Sequence, residues 1–186
     1  MNRPAWWCLM LWIACGGTRG TPSASATVED LVWGGTDCRK GGECASGVCT
    51  GGTCVGYLGA STEEVREAIG PLLSAAAARG QGEEVRQALE EVLSGAGSDE
   101  FIRARAADAF RWLPPATGPG MLEGLEGDPS EPVRFFAARA RHVRGDPAAG
   151  RILREFLRHP SEAVRLLAGR ALETRKGPEG HGPINQ

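Results

Sequence analysis

The sequence predicts an all-α fold: an α-solenoid of about three to four antiparallel helix pairs, preceded by a small, disulfide-rich and mostly irregular module. Three observations predict it. The dipeptide Ile102-Arg103 recurs as Val133-Arg134 and Val164-Arg165, each time 31 residues further on. Apolar residues in the same segments follow the spacing of one helix face. Cysteines cluster ahead of these segments, within residues 38–54. A fixed period of this length is typical of stacked repeats, in which each unit buries its apolar face against the next.

Residues 1–15 have the composition of a signal peptide. Arg3 is followed by an apolar run from Ala5 to Ala14. This run is too short to span a bilayer as a helix, which takes about 20 residues, but it matches the apolar core of an export signal. We therefore expect an exported protein.

The end of this segment, Trp12-Ile13-Ala14-Cys15 followed by Gly16, resembles a bacterial lipobox. The resemblance implies that Cys15 carries a lipid and anchors the mature protein in a membrane, at the outer membrane or the periplasmic face. Two alternatives stay open. A signal peptidase can cut after Ala26 and release a secreted protein, or the segment can remain as an uncleaved anchor.

A flexible tether and a cysteine module follow in the sequence. Residues 16–37 are rich in Gly, Ser, Thr and Ala, which predicts the tether. Residues 38–57 form the module, and an even number of cysteines behind an export signal predicts two disulfides. Three pairings are possible, and we favour Cys38–Cys49 with Cys44–Cys54. A structural zinc site is the alternative. The four cysteines are Cys38, Cys44, Cys49 and Cys54.

The repeat domain, residues 62–176, is predicted to be helical throughout. Asp128 is expected to cap a helix that begins at Pro129, with Glu131 completing a capping box. Gly145 is expected to end that helix in a left-handed conformation. Only Leu31–Trp33 and Val48–Cys49 hint at extended structure. The predicted helices span 62–79, with a kink at Pro71, 83–94, 99–113, 119–127, 129–143, 147–158 and 160–175.

The stretch Asp128–Arg144, followed by Gly145-Asp146-Pro147, resembles the short HEAT-like repeats of phycobilin lyases. The resemblance covers residues 98–175 well and 62–97 loosely. It implies two antiparallel helices per unit, with the Val-Arg dipeptide on the first. One unit departs from the pattern, since Leu113-Pro114-Pro115 replaces the Gly-Asp-Pro turn.

Charge points to a protein partner. The net charge is −2, but residues 62–128 carry six arginines against thirteen acidic residues, whereas 129–176 carry eleven basic residues against five acidic ones. Candidate partner-binding residues are an exposed helical row of arginines and an aromatic residue beside the main apolar stripe. The repeated arginines at 103, 134 and 165 are expected to be structural. The candidates are Arg151, Arg154, Arg158 and Phe135.

No pattern of catalytic, metal-binding or cofactor-binding residues occurs in the helical part, so we expect no catalytic residue, no metal and no cofactor. The predicted function is protein–protein binding or scaffolding at the cell envelope, through the solenoid surface. The partner is another protein, acidic if it meets the arginine row, and not a nucleic acid. The alternatives are a secreted cysteine-rich binding module presented by a helical spacer, and a lyase-like enzyme. Residues 177–186 are expected to be a disordered tail.

Overall fold

The computed structural model describes residues 27–95 and 98–174. They form a mostly helical protein with a small three-stranded sheet and two disulfides on its amino-terminal side. The predictions for the signal segment, for Cys15 and for residues 177–186 lie outside the described residues. The elements are α1 Val28–Val32, β1 Gly34–Asp37, β2 Cys49–Thr50, β3 Thr53–Val55, α2 Glu63–Ala76, α3 Gly82–Ser94, α4 Glu100–Ala109, α5 Pro119–Gly124, α6 Glu131–Val143, α7 Ala149–Phe156 and α8 Glu162–Glu173.

The helices from α2 to α8 lie where the periodicity predicts them. Two of these helices end in a 3₁₀ turn: α4 continues over Phe110–Trp112, and α5 over Leu125–Gly127. The helix α2 runs into a wider turn, Ala77–Gln81, which breaks at Gly80 with a φ of 94°. α5 is the shortest of these seven helices, as its glycine content suggests.

Two predicted helix starts are displaced. α6 begins at Glu131 rather than at Pro129, and Asp128 is not its N-cap. Asp128 Oδ1 instead accepts from Ser130 N at 2.9 Å, and its carboxylate pairs with Arg103 of the preceding unit. α2 begins at Glu63 rather than at residue 62, because Thr62 is its N-cap: the Thr62 hydroxyl accepts from Val65 N at 3.4 Å.

The predicted stop at Gly145 is confirmed. Gly145 has a φ of 92°, in the left-handed region that favours glycine. Its N–H donates to His142 O, and Asp146 N donates to Arg141 O, both at 3.0 Å. These are the two bonds of a Schellman motif, so the chain reverses sharply before α7.

The cysteine module is a small sheet held by two disulfides. β3 lies in the centre and pairs antiparallel with β1 on one side and β2 on the other. β2 and β3 form a hairpin whose turn residues, Gly51 and Gly52, have φ values of 60° and 84°, as a type I′ turn requires. The disulfides join Cys38 to Cys49 and Cys44 to Cys54, which is the pairing that the sequence analysis favours.

Residues 28–37 are folded, so the prediction of a flexible tether over 16–37 is wrong for that part. Thr27 and Asp30 form a capping box that starts α1. Leu31 and Val32 are buried helical residues, not the extended structure expected for them. Their carbonyls accept from Tyr57 N and Leu58 N, both at 2.9 Å, which ties α1 to the exit of the module.

Ala45 and Tyr57 of the module belong to the main apolar core of the helices, whereas the four cysteines form a cluster of their own. A single cluster of buried side chains reaches from α1 and Leu58 through α2, α3 and α4 to the near side of α6. A second, smaller cluster lies at the carboxyl end, between α6, α7 and α8. α4 packs on α6, α6 on α7 and α8, and α7 on α8. The boundary expected between the module and the repeat domain is therefore not a boundary in the core.

Candidate functional site

The arginine row, defined as Arg151, Arg154 and Arg158, lies on the exposed side of α7 and of the turn that follows it. Asp146 lies shortly before α7, and its Oδ1 accepts from Ala148 N, the residue at the N-cap, at 2.8 Å. α7 ends at Phe156, so Arg158 follows the helix instead of continuing its face. Within the described part of the chain, no side chain of the row forms a hydrogen bond or an ion pair.

The arginines of the repeated dipeptide behave differently. Arg134 Nη1 donates to the carbonyls of Asp128 and Pro129, at 2.7 and 3.1 Å. Arg165 Nη1 makes the equivalent bonds to His159 O and Pro160 O, both at 2.7 Å. Arg103 pairs with Asp128 at the start of the next unit. These contacts confirm the structural role predicted for the three arginines, and they set the arginine row apart as unengaged charge.

An open cleft of about 460 Å³ lies beside the arginine row. Arg151 lines it, whereas Arg154 and Arg158 do not. Ile152 and Phe156 contribute the apolar part of its wall, and the start of α6 forms the opposite side. The complete lining is Glu126, Glu131, Arg134, Arg151, Ile152, Glu155, Phe156 and His159.

Some of the charged groups in the cleft are already engaged. His159 Nε2 lies 3.0 Å from Glu131 Oε1, and His159 Nδ1 accepts from Ser161 N at 3.1 Å, as Asp128 Oδ1 accepts from Ser130 N one unit earlier. Arg134 is held by the two carbonyls that it binds. Arg151 and Glu155 are both exposed. The cleft therefore offers an arginine, a carboxylate and an apolar wall, a combination suited to binding a polar peptide segment.

Phe135 is not an exposed contact residue, and its assignment as a partner-binding candidate is wrong. Its side chain is buried, with 5% of its surface exposed. The ring packs edge-on against Phe136 and Phe156, at 5.2 Å between centroids in each pair. Position 135 points between α7 and α8 and forms the centre of the carboxyl-terminal core cluster.

A cluster of buried charges joins the module to the helices, and the sequence analysis missed it. Asp108 of α4 is 1% exposed. Its Oδ2 accepts from the Tyr57 hydroxyl at 2.9 Å, and its Oδ1 lies 3.1 Å from Arg139 Nε, in an ion pair without a hydrogen bond. Arg111 Nε lies 3.3 Å from Asp108 Oδ2. Glu63 and Glu67 of α2 pair with these arginines at the edge of the cluster.

Burial and neighbouring charges shift the pKa values in this cluster. Burial raises the pKa of the Tyr57 hydroxyl, and the Asp108 carboxylate raises it further. Burial lowers the pKa of Arg111, but Asp108 and its other partners outweigh burial and raise that pKa. Burial raises the pKa of Glu63, yet Arg139 more than offsets this and the pKa falls below its usual value. Tyr57 is therefore a neutral donor among charged groups.

One sequence signal could have revealed this cluster. Asp108 and Arg139 are 31 residues apart, so they occupy the same position in successive units. Opposite charges in one repeat position, next to the buried positions 109 and 140, predict a pair between neighbouring units. The contribution of Tyr57 has no such signal, because Tyr57 lies in the module, outside the repeat.

The cysteine cluster is oxidised. The sulfurs of Cys38, Cys44 and Cys54 lie within 4.8 Å of one another because the two disulfides are stacked. Sulfurs bonded to each other are not thiolate ligands, so the structure has disulfides in place of the zinc alternative. Two disulfides indicate an oxidising environment outside the cytoplasm.

No helix in the described ranges has the length and apolar character needed to cross a membrane.

Comparison with known proteins does not assign this chain to a family: no family model, no curated protein and no solved structure matches it. The arginine row, the cleft beside it and the repeat contacts are therefore the features that indicate a function.

Proposed function

We propose that this protein is a non-catalytic binding or scaffolding protein of the bacterial cell envelope, and that it binds another protein through the surface of its helical part. The observation that carries the proposal is the unengaged arginine row beside an open cleft. Three guanidinium groups with no partner in the described part of the chain favour an acidic partner, because each can form a charge-assisted hydrogen bond with a carboxylate.

We also propose that the helices form a HEAT-like solenoid. The order of contacts supports this, since α4 packs on α6 and α6 on α8, as the first helices of successive units do in a stacked array. The identical carbonyl contacts of Arg134 and Arg165 also support it. In such an array a row of side chains on the second helix of a unit is available to a partner.

Membrane attachment through a lipid on Cys15 is part of the proposal. Support comes from the lipobox-like segment and from the two disulfides, which fit an exported protein. Intact-mass analysis of the mature protein tests it. A first residue Cys15 with the added mass of acyl chains supports anchoring, whereas an unmodified chain that starts at Thr27 contradicts it.

The arginine row is tested by reversing its charge. We expect the double variant Arg151→Glu with Arg154→Glu to lose its protein partner in affinity capture from envelope extracts, with its helical circular dichroism unchanged. The matched control is Arg39→Glu with Arg79→Glu. It reverses the same amount of charge at two exposed sites outside the row, so it should retain the partner. Equal capture by both variants would contradict a binding role for the row.

In the alternative function, the cysteine module is the binding part. Deletion of the module is not a suitable test of this alternative. Because Ala45 belongs to the helical core and Val48 packs against it, removing residues 38–54 would also disturb that core. Surface changes such as Arg39→Glu with Lys40→Glu leave the core intact, since both residues are exposed. Loss of the partner in this variant, with the partner retained by Arg151→Glu with Arg154→Glu, would assign binding to the module.

A further inference from the structure

The last described helix, α8, exposes a side that is buried in the equivalent helices α4 and α6. Positions 104, 135 and 166 correspond to one another at the 31-residue period. Ala104 and Phe135 are buried, with 1% and 5% of their surfaces exposed, whereas Leu166 is 59% exposed. Its exposure follows from its place at the end of the described array, where no further unit covers it.

Two charged residues flank Leu166 on the same side of α8. Glu162 and Arg170 lie one helical turn before and after it, at four-residue spacing. Both are exposed, and within the described residues neither side chain forms an ion pair. Glu162, Leu166 and Arg170, here called the α8 stripe, are therefore charged at both ends and apolar in the middle.

In the preceding units, residues at the first and third of these positions take part in contacts between units. At the glutamate position, Glu100 accepts from Ser130 Oγ at 3.0 Å, and Glu131 lies 3.0 Å from His159 Nε2. At the third position, Asp108 pairs with Arg139, 31 residues further on. The α8 stripe thus corresponds to a surface that binds another copy of the repeat. Terminal repeats of soluble arrays usually carry a polar outer face instead.

We propose that the α8 stripe binds the α8 stripe of a second copy of this chain, in an antiparallel two-fold contact. With Leu166 opposite Leu166 of the second copy, the residues four positions away on either side oppose each other. Glu162 then faces Arg170 of the second copy, and Arg170 faces its Glu162. The pattern is self-complementary in the way that a two-fold interface requires.

The backbone of α8 also permits close approach. Gly169 lies on this side of the helix, and a Cβ added there would meet no atom of the protein within 4 Å. Ala163 occupies the symmetric position, so that a small residue faces a small residue across the pair. Small residues at both points let two helices pack at the short end of the usual 8–10 Å interaxial range.

A contact of one helix pair is small, since α8 has 12 residues and a length of about 18 Å. Interfaces of this size lie below the usual range for stable complexes, so the dissociation constant is expected to be on the order of 100 μM. The interface does not involve the arginine row, so its test is independent of the proposed function.

The test is charge reversal on the full chain, with disulfides formed, measured by sedimentation between about 10 μM and 1 mM. Glu162→Arg and Arg170→Glu each place two like charges across the interface, and each should weaken dimerisation at least ~10-fold. The double variant should restore it, and a mixture of the two single variants, each with a different tag, should co-purify as a heterodimer. Arg79→Glu, an exposed reversal outside α8, is the control and should dimerise like the wild type.

Four results would overturn the proposal. One is a wild type that stays monomeric throughout this range. Another is a dimer that survives both single reversals, and a third is a double variant that fails to recover. The variant Leu166→Gln is expected to lose the dimer and to keep the circular dichroism of the wild type. The fourth contradicting result is a Leu166→Gln variant that still forms the dimer. A chain that dimerises only after residues 175–186 are removed would assign the stripe to that segment.

Discussion

Tyr57 is held at the junction of the module and the helices by its bond to Asp108. Its pKa is raised by burial, so the folded protein keeps this proton at a pH where the unfolded chain releases it. When a group has a higher pKa in the folded state than in the unfolded state, the protein becomes less stable as pH rises above the unfolded pKa. Above the unfolded value of about 10, unfolding should therefore become easier by about 1.4 kcal/mol per pH unit.

Because Tyr57 is the one tyrosine in the sequence, ultraviolet absorbance measures this titration directly. We expect no tyrosinate signal near 295 nm from the folded protein up to about pH 11, and a full signal with a midpoint near pH 10 in denaturant. Tyr57→Phe should remove the alkaline loss of stability described above. A native midpoint near 10 would show that Tyr57 is accessible to solvent.

Asp108 compensates two buried guanidinium groups, so its charge matters more than its shape. Asp108→Asn leaves Arg111 and Arg139 in the cluster without their central counterion, and removing one partner of a buried pair costs about 3–5 kcal/mol. Urea unfolding monitored by circular dichroism measures this loss. Glu67→Gln is the matched control: it makes the same change in the same cluster, but its side chain is 42% exposed, so a loss below about 1 kcal/mol is expected. Equal losses would mean that burial does not set the importance of Asp108.

Helices α2 and α8 each contain an interior glycine, and the two have opposite surroundings. A Cβ added at Gly70 would lie 2.0 Å from Cε2 of Trp112, whereas at Gly169 it would meet nothing within 4 Å. Gly70→Ala should therefore destabilise the protein by about 1–3 kcal/mol through overpacking. Gly169→Ala should stabilise it by up to about 1 kcal/mol through helix propensity.

Denaturant midpoints for both variants, at concentrations where the chain is monomeric, check this pair of expectations. If Gly70→Ala proves as stable as the wild type, then Trp112 moves aside easily, and the contact between α2 and the turn after α4 is loose. If Gly169→Ala is destabilised, α8 is packed on a side that the structure leaves open.

The helices could be predicted at this scale because their signals are local. Apolar spacing marks α2 to α8, and Gly145 marks the end of α6 through its own backbone preference. α1 could not be predicted in the same way, since five residues carry too little periodicity to stand out in a Gly/Ser/Thr-rich segment. What orders α1 is contact with Tyr57 and Leu58, more than twenty residues away in the chain.

The same distinction applies to the candidate site. The arginine row could be predicted because exposed positions on α7 follow from its helical spacing. The burial of Phe135 could not, because it depends on where α7 and α8 pack. The cleft depends on side chains from three separate segments, so it had no signature in the sequence. Of the contacts in the buried cluster, only the Asp108–Arg139 pair could be predicted, because its two residues occupy the same position in successive repeats.

At the scale of the whole molecule, the shared core couples the disulfides to helices far from them. The Cys44–Cys54 disulfide holds the strand that leads directly to Tyr57 and Leu58, both completely buried among the helices. Loosening the module therefore removes side chains from the helical core. An independent module would leave the helices unaffected.

Removal of this disulfide by Cys44→Ala with Cys54→Ala tests the coupling. Opening a loop of this size costs about 2–4 kcal/mol, and 1 kcal/mol shifts Tm by about 2–4 °C in a chain of this length. We expect the helical signal at 222 nm to melt in one transition, about 5–15 °C below the wild type. Thr36→Ala with Thr50→Ala, two exposed changes in the same sheet, controls for disturbance of the strands and should shift Tm far less. An unchanged helical melt in the cysteine variant would mean that the module and the helices fold separately, and the single core described above would have to be abandoned.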